Sequence, residues 1–224
     1  IEAMEATSVI ISQHVDLNAI SEKNYEDTLK ELDKLIGKTI YVKGNVYKDE
    51  TDANFTPDGT ETKYTVDAGW VHIAKYQAAV LLEKEEKDYV DHMEKAVQSS
   101  QFMKSLAGYM LADTYVKLGE YAKAESLAKD LKEINNEATD YYLIMSMVSR
   151  YRDKDYNKAM RWYQEAASYG YPVAYNCIGH CYYKGEGVEQ DYEEAVKYYR
   201  KNCYKITDNS PYFASINGCD NAEA

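Results

Sequence analysis

Cys177, His180 and Cys181 are the residues whose types and spacing come nearest to a chemical site. Offsets of three and four put them on one face of a helix, where thiolates and an imidazole could offer sulfur and nitrogen to zinc. Cys203, on a following helix, could approach them. Three ligands on one short helix would strain a tetrahedral site, so the spacing favours free core thiols, with a disulfide between the two helices or a zinc site as alternatives. The acidic run Asp49, Glu50, Asp52, Asn54, Asp58 with Gly59 has calcium-type oxygens. It has neither the glycine spacing nor the closing glutamate of an EF-hand loop, and reads as a solvated loop. His14, His72, His92 and His180 fall in separate segments. There is no glycine-rich phosphate loop after a strand, no nucleophile elbow and no metal-binding histidine pair on one helix. The expectation is a protein that is not an enzyme and uses no cofactor or metal.

The elements that would carry these residues show themselves by recurrence. An aromatic residue followed three places later by a small one appears at Tyr121 and Ala124, Tyr156 and Ala159, and Tyr192 and Ala195. Weaker copies lie at Tyr25 and Tyr89, with Thr28 and His92 in the small position. A spacing close to 34 residues is that of stacked helix pairs. In the clearest unit Leu106, Leu111, Ala112 and Tyr115 mark one helix face, Gly119 breaks the helix, and Ala124, Leu127, Ala128 and Leu131 mark a second. The small residue belongs where two helices approach closest.

These residues resemble a known family. Leu111-Ala112, Tyr115, Gly119, Tyr121, Ala124 and Ala128 look like a tetratricopeptide repeat. Asp155 to Ala159, Trp162-Tyr163, Ala166-Ala167 and Gly170 move toward the Sel-one-like repeat, although Met147 stands at a helix contact where glycine is expected. The next unit matches that repeat nearly throughout: Ala174, Ile178-Gly179, Tyr182, Gly185-Glu186-Gly187-Val188, Asp191, Ala195, Tyr198-Tyr199 and Cys203. The resemblance covers about residues 100 to 208. It implies an all-α fold, an α-α superhelix that winds as a right-handed solenoid of about five antiparallel helix pairs. The cysteine-rich bacterial branch of the family bridges its paired helices; Cys203 matches one bridging position but Tyr175 fills the other, so the bridge does not carry over.

The expected organisation is a helix pair over 1–37, an irregular acidic insertion or linker over 38–66 and a degenerate pair over 67–100. Two repeats follow over 101–172, a Sel-one-like repeat over 173–208 and a capping helix over 209–224. Within 38–66, Thr39 to Val42 alternate briefly before a possible turn at Lys43-Gly44-Asn45.

By similarity to tetratricopeptide arrays, the first helix of each pair lines a concave groove. The groove positions become Tyr109, Asp113, Val116 and Lys117, then Ile144, Val148, Tyr151 and Arg152, then Asn176, His180, Tyr183 and Lys184. Aromatic anchors beside Lys117, Arg152 and Lys184 would suit a peptide or exposed helix of another protein. The resemblance thus implies an adaptor, with self-assembly of the tyrosine-rich surface and a metal or redox role for Cys177, His180 and Cys181 as alternatives.

Composition narrows the partners. The chain has 224 residues, a net charge of −12, and 24 tyrosines against 3 phenylalanines and 2 tryptophans. Its acidity repels phosphate backbones, which makes nucleic acid an unlikely partner class. No apolar run is long enough for membrane insertion. Since Ile1 is neither an initiator Met nor preceded by a leader, either a leader has been removed or the sequence starts inside a longer chain. With a leader removed, the resemblance implies a soluble protein that is bacterial periplasmic or secreted.

Overall fold

The structure, a computed structural model, describes residues 2–52, 55–134 and 139–206. It is mostly helical, with ten α-helices among the described residues packed as neighbours in sequence. The side chain of Cys203, Asn54 of the acidic run and the expected capping helix over 209–224 lie outside the described residues. The chain divides into two compact units, residues 1–111 and 112–224.

In the first unit α1 (Glu2–His14) and α2 (Tyr25–Leu35) are joined through a 3-10 turn at Leu17–Ala19, whose entry Asp16 caps by accepting from the Asn18 N–H. α1 ends at His14, short of the 3-10 turn that Asp16 caps. After Gly37 the chain enters a sheet rather than an irregular insertion. Strands β1 (Thr39–Lys43), β2 (Val46–Asp49) and β3 (Thr62–Thr65) lie in the order β2-β1-β3, each antiparallel to its neighbour. Gly44, at φ 59°, makes the tight β1 to β2 turn possible. Ile40 and Tyr64 are paired across β1 and β3, and on that side Ile40 joins a core of Ile10, Leu32, Val66 and Val71. The His14 ring lies 2.5 Å from the buried Asp49 carboxylate, which also accepts from the Thr51 N–H at 2.7 Å.

Helix α3 (Ala68–Leu81), capped by Asp67, and α4 (Glu86–Ser99) form the next hairpin. Gly69 lets it close, since a Cβ there would stand 2.4 Å from Ser99 Oγ and 2.7 Å from Met103 Cγ. Lys75, only 4 % exposed, reaches Asp33 of α2 at 2.5 Å. Tyr25 and Tyr89, the weak copies of the repeat signature, are both buried against Ala78 and Ala79.

Helix α5 (Gln101–Lys117) runs into the second unit, where α6 (Tyr121–Ile134), α7 (Thr139–Tyr151), α8 (Tyr156–Ser168), α9 (Pro172–Lys184) and α10 (Tyr192–Ile206) follow. Consecutive helices from α6 to α10 pack on one another. Ala124, Ala159 and Ala195 are all buried, as close approach of paired helices requires. Gly119, Gly170 and Gly185 end their helices at φ 74°, 78° and 72°, left-handed values that favour glycine. Pro172 opens α9 in its first turn, where the missing N–H costs nothing. Ser146 and Ser149 are buried on α7 and turn their hydroxyls back to Leu143 O and Met145 O. Met147, in place of the expected glycine, is 8 % exposed and fills the contact as part of the core.

Candidate protein-interaction face

The last turns of α7 and α9 hold corresponding positions of two consecutive repeats. Tyr151 is 48 % exposed and Tyr183 46 % exposed. Aromatic rings left this far in water beside a well-packed helix pair have area to offer a partner. Tyr192 at the start of α10 stands edge-on to Tyr183 at 5.5 Å, and Gln190 ties the two by donating to Tyr183 O and Tyr192 Oη. Lys184 Nζ sits 5.3 Å over the Tyr183 ring and has no ion-pair partner among the described residues.

Other expected groove residues behave differently. Val116, Ile144 and Val148 are buried, Ile144 and Val148 completely, so these three belong to the helix-packing core and cannot touch a partner. Which side of a helix faces its neighbours is set by packing, and a sequence period cannot choose between two apolar stripes. Lys117 pairs with Asp113 at 2.9 Å on its own helix. Arg152 is held by Glu125 at 3.0 Å and Asp153 at 2.7 Å. Tyr109 is half-buried and Asn176 exposed.

Beneath this face lies a polar cluster that the sequence pattern only hinted at. Arg150 Nη2 meets Glu186 Oε2 at 2.6 Å, with both side chains less than a quarter exposed. Glu186 sits between two glycines in the turn after α9, and its own N–H donates to Cys181 O. His180 Nδ1 lies 3.5 Å from Arg150 and 3.9 Å from Glu186. Burial, then the Arg150 charge, pushes the His180 imidazole toward its neutral form, against the opposing pull of Glu186. The Gly-Glu-Gly spacing was the available signal for Glu186, but nothing in the sequence names Arg150 as its partner.

Cys177 and Cys181 are free thiols, pushed up to about 11 by burial. Cys177 faces the buried Tyr163, whose hydroxyl also bonds Ser146; burial raises that phenol as well. Among the described residues no three His, Cys, Asp or Glu side chains converge as a metal site would require. The two thiols suit a protected interior and would be poor nucleophiles.

Helix hairpins that follow one another in sequence, with buried alanines where paired helices cross, define an α-helical repeat protein. More particularly, the family model for the Sel1 repeat matches residues 148–171 and 172–203. Both units expected from the residues are included, the one with the Gly-Glu-Gly-Val turn and the one without it. No curated protein matches the chain. Among solved structures it is similar to one described as MamA at 22 % identity and TM-score 0.42, covering 62 % of this chain and 79 % of that one. A second MamA structure gives 16 % and 0.47, covering 92 % and 98 %. A Sel1 repeat protein from Oxalobacter formigenes gives 25 % and 0.41, covering 62 % of this chain and 57 % of that one. Sel1 repeats typically mediate contacts between proteins. No helix among the described residues is long and apolar enough to cross a membrane.

Proposed function

We propose that this chain is a non-enzymatic adaptor that holds a peptide or helix of another protein across the ends of α7 and α9. Tyr151 and Tyr183 serve as anchors, and Lys184 meets a carboxylate of the partner. The observation that carries this reading is the half-exposure of those two rings at corresponding positions of the two stretches that match the Sel1 repeat, next to a lysine with no carboxylate partner among the described residues. Buried aromatic anchors dominate interfaces, while residues already satisfied within the chain, such as Lys117 and Arg152, contribute complementarity.

The test is affinity capture with the purified chain and with a Tyr151→Ala/Tyr183→Ala variant, using lysate of the source organism and quantitative mass spectrometry. Each anchor contributes about 1–2 kcal/mol, so the double variant should lose a defined set of captured proteins by tenfold or more. Its melting temperature should hardly move, because both rings are half in water. Equal capture by both proteins would refute the reading. Loss of self-association alone, seen by sedimentation at several concentrations, would assign the same rings to assembly of this chain.

A further inference from the structure

The two edges of the sheet in the first unit differ in how far their outward carbonyls are engaged. On the β2 side, Tyr47 O accepts from the Gln13 side chain at 3.4 Å, and Asp49 O accepts from the Asp52 N–H at 3.2 Å. On the β3 side the pairing leaves bonds unspent. Val66 donates to Lys38 O, and the register then pairs Tyr64 with Ile40 and Thr62 with Val42. Antiparallel strands alternate between bonded and non-bonded pairs, so Thr62, Tyr64 and Val66 direct their backbone groups to β1. Lys63 and Thr65 direct theirs outward. Both residues are exposed, and among the described residues nothing bonds to their N–H or C=O groups.

We propose that this edge of β3 receives an extended, acidic segment of a partner protein, which adds to the sheet as a fourth strand. Main-chain bonds to Lys63 and Thr65 would supply the affinity and side chains the selectivity. The solvent face of the sheet carries Lys43, Lys48 and Lys63 at its strand positions and no carboxylate. Lys43 is taken by Asp58 at 2.6 Å and Lys48 by Asp52 at 2.5 Å. Lys63 stands over the Tyr41 ring at 5.5 Å and has no acidic partner among the described residues. Glu61, the nearest carboxylate along the strand, is turned back onto the Asp58 and Gly59 N–H groups. An incoming residue bonded opposite Lys63 projects its side chain onto this same face, and there a carboxylate is the favourable choice. Pairing of two copies of this chain is the poorer fit, because it would place a second Lys63 on the face of one short four-residue strand. The site lies in the other unit from Tyr151 and Tyr183 and does not depend on their role.

The probes are short blocked peptides of alternating threonine and valine carrying a central glutamate or a central lysine, titrated by fluorescence anisotropy against the full chain. The glutamate peptide should bind saturably and the lysine peptide about two- to fivefold more weakly, the scale of one cross-strand charge pair. Thr65→Pro removes an outward donor while leaving the β1 ladder its bonds, so it should weaken the glutamate peptide by about tenfold or more. Lys63→Glu should reverse the peptide preference, a result that survives even if Thr65→Pro fails to fold. No saturable binding, no charge preference, or wild-type affinity in a folded Thr65→Pro protein would each overturn the proposal. So would a dimer of the unmodified chain that Thr65→Pro dissolves, since the edge would then belong to a second copy.

Discussion

Replacing Gly187 by alanine separates two costs that usually arrive together. Gly119, Gly185 and Gly187 share nearly the same left-handed backbone, with φ of 74°, 72° and 74°. A Cβ on Gly119 would meet nothing within 4 Å, and one on Gly185 would meet Gln190 Cβ at 3.3 Å. A Cβ on Gly187 would stand 2.4 Å from Tyr156 O and 3.0 Å from Asn157 N, which are main-chain atoms at the start of α8 and cannot swing aside. The backbone penalty alone is about 1–2 kcal/mol, and Gly119→Ala should show that and little else. Gly187→Ala adds an overpacking cost of about 1–3 kcal/mol, for a total of about 2–5 kcal/mol. Urea unfolding followed by Trp162 fluorescence in a Trp70→Phe background reads the second unit directly. At unchanged m-value, the midpoints should fall in the order Gly119→Ala, Gly185→Ala, Gly187→Ala, with the last clearly lowest. A Gly187→Ala midpoint equal to that of Gly119→Ala would refute the claim that the turn packs backbone against backbone on the preceding repeat.

Three further outcomes follow from the packing. Asp33→Ala leaves the buried Lys75 ammonium unpaired and should cost about 1–3 kcal/mol in urea melts, whereas Lys75→Met should be neutral or stabilising. His72 and His92 stack at 6.2 Å, and burial, with Lys75 nearby, holds both below the ordinary 6.5. Folding therefore favours their neutral forms, and the stability they contribute is full above pH 6.5 and lost as pH falls through 6.5 toward their folded values; His72→Phe should flatten the acid limb of a stability profile. In a Cys203→Ser/Cys219→Ser background, Cys177 and Cys181 should resist a thiol-specific chromogenic reagent at neutral pH until denaturant is added, and a rapid reaction in the native protein would contradict their burial.

Much of the helical repeat was legible because close approach admits few side chains. Ala124, Ala159 and Ala195 announced the crossings, and Gly119, Gly170 and Gly185 announced the ends. The sheet was not legible beyond Thr39 to Val42. Its strands are short and polar, and the run Lys48-Asp49-Glu50-Thr51-Asp52 reads as loop until His14 and Thr51 are seen to satisfy Asp49. Of the residues expected to line a groove, Tyr151 and Tyr183 stand half-exposed at the ends of their helices. The groove was misread one turn earlier, at Ile144 and Val148, where apolar residues serve the neighbouring helices. Arg150 and Glu186 were missed because their meeting depends on how one repeat rests on the next.

That meeting governs the order in which the molecule comes apart. When the turn carrying Glu186 peels away, the Arg150 guanidinium of the preceding hairpin, 16 % exposed in the folded molecule, loses its counter-charge, so α7 loses the ion pair that ties it to the last repeat. Fraying that starts at α10 is thereby carried past α9 into α7. The last two hairpins should detach in a single step, and hydrogen exchange in α7 and α9 should report one common opening rate.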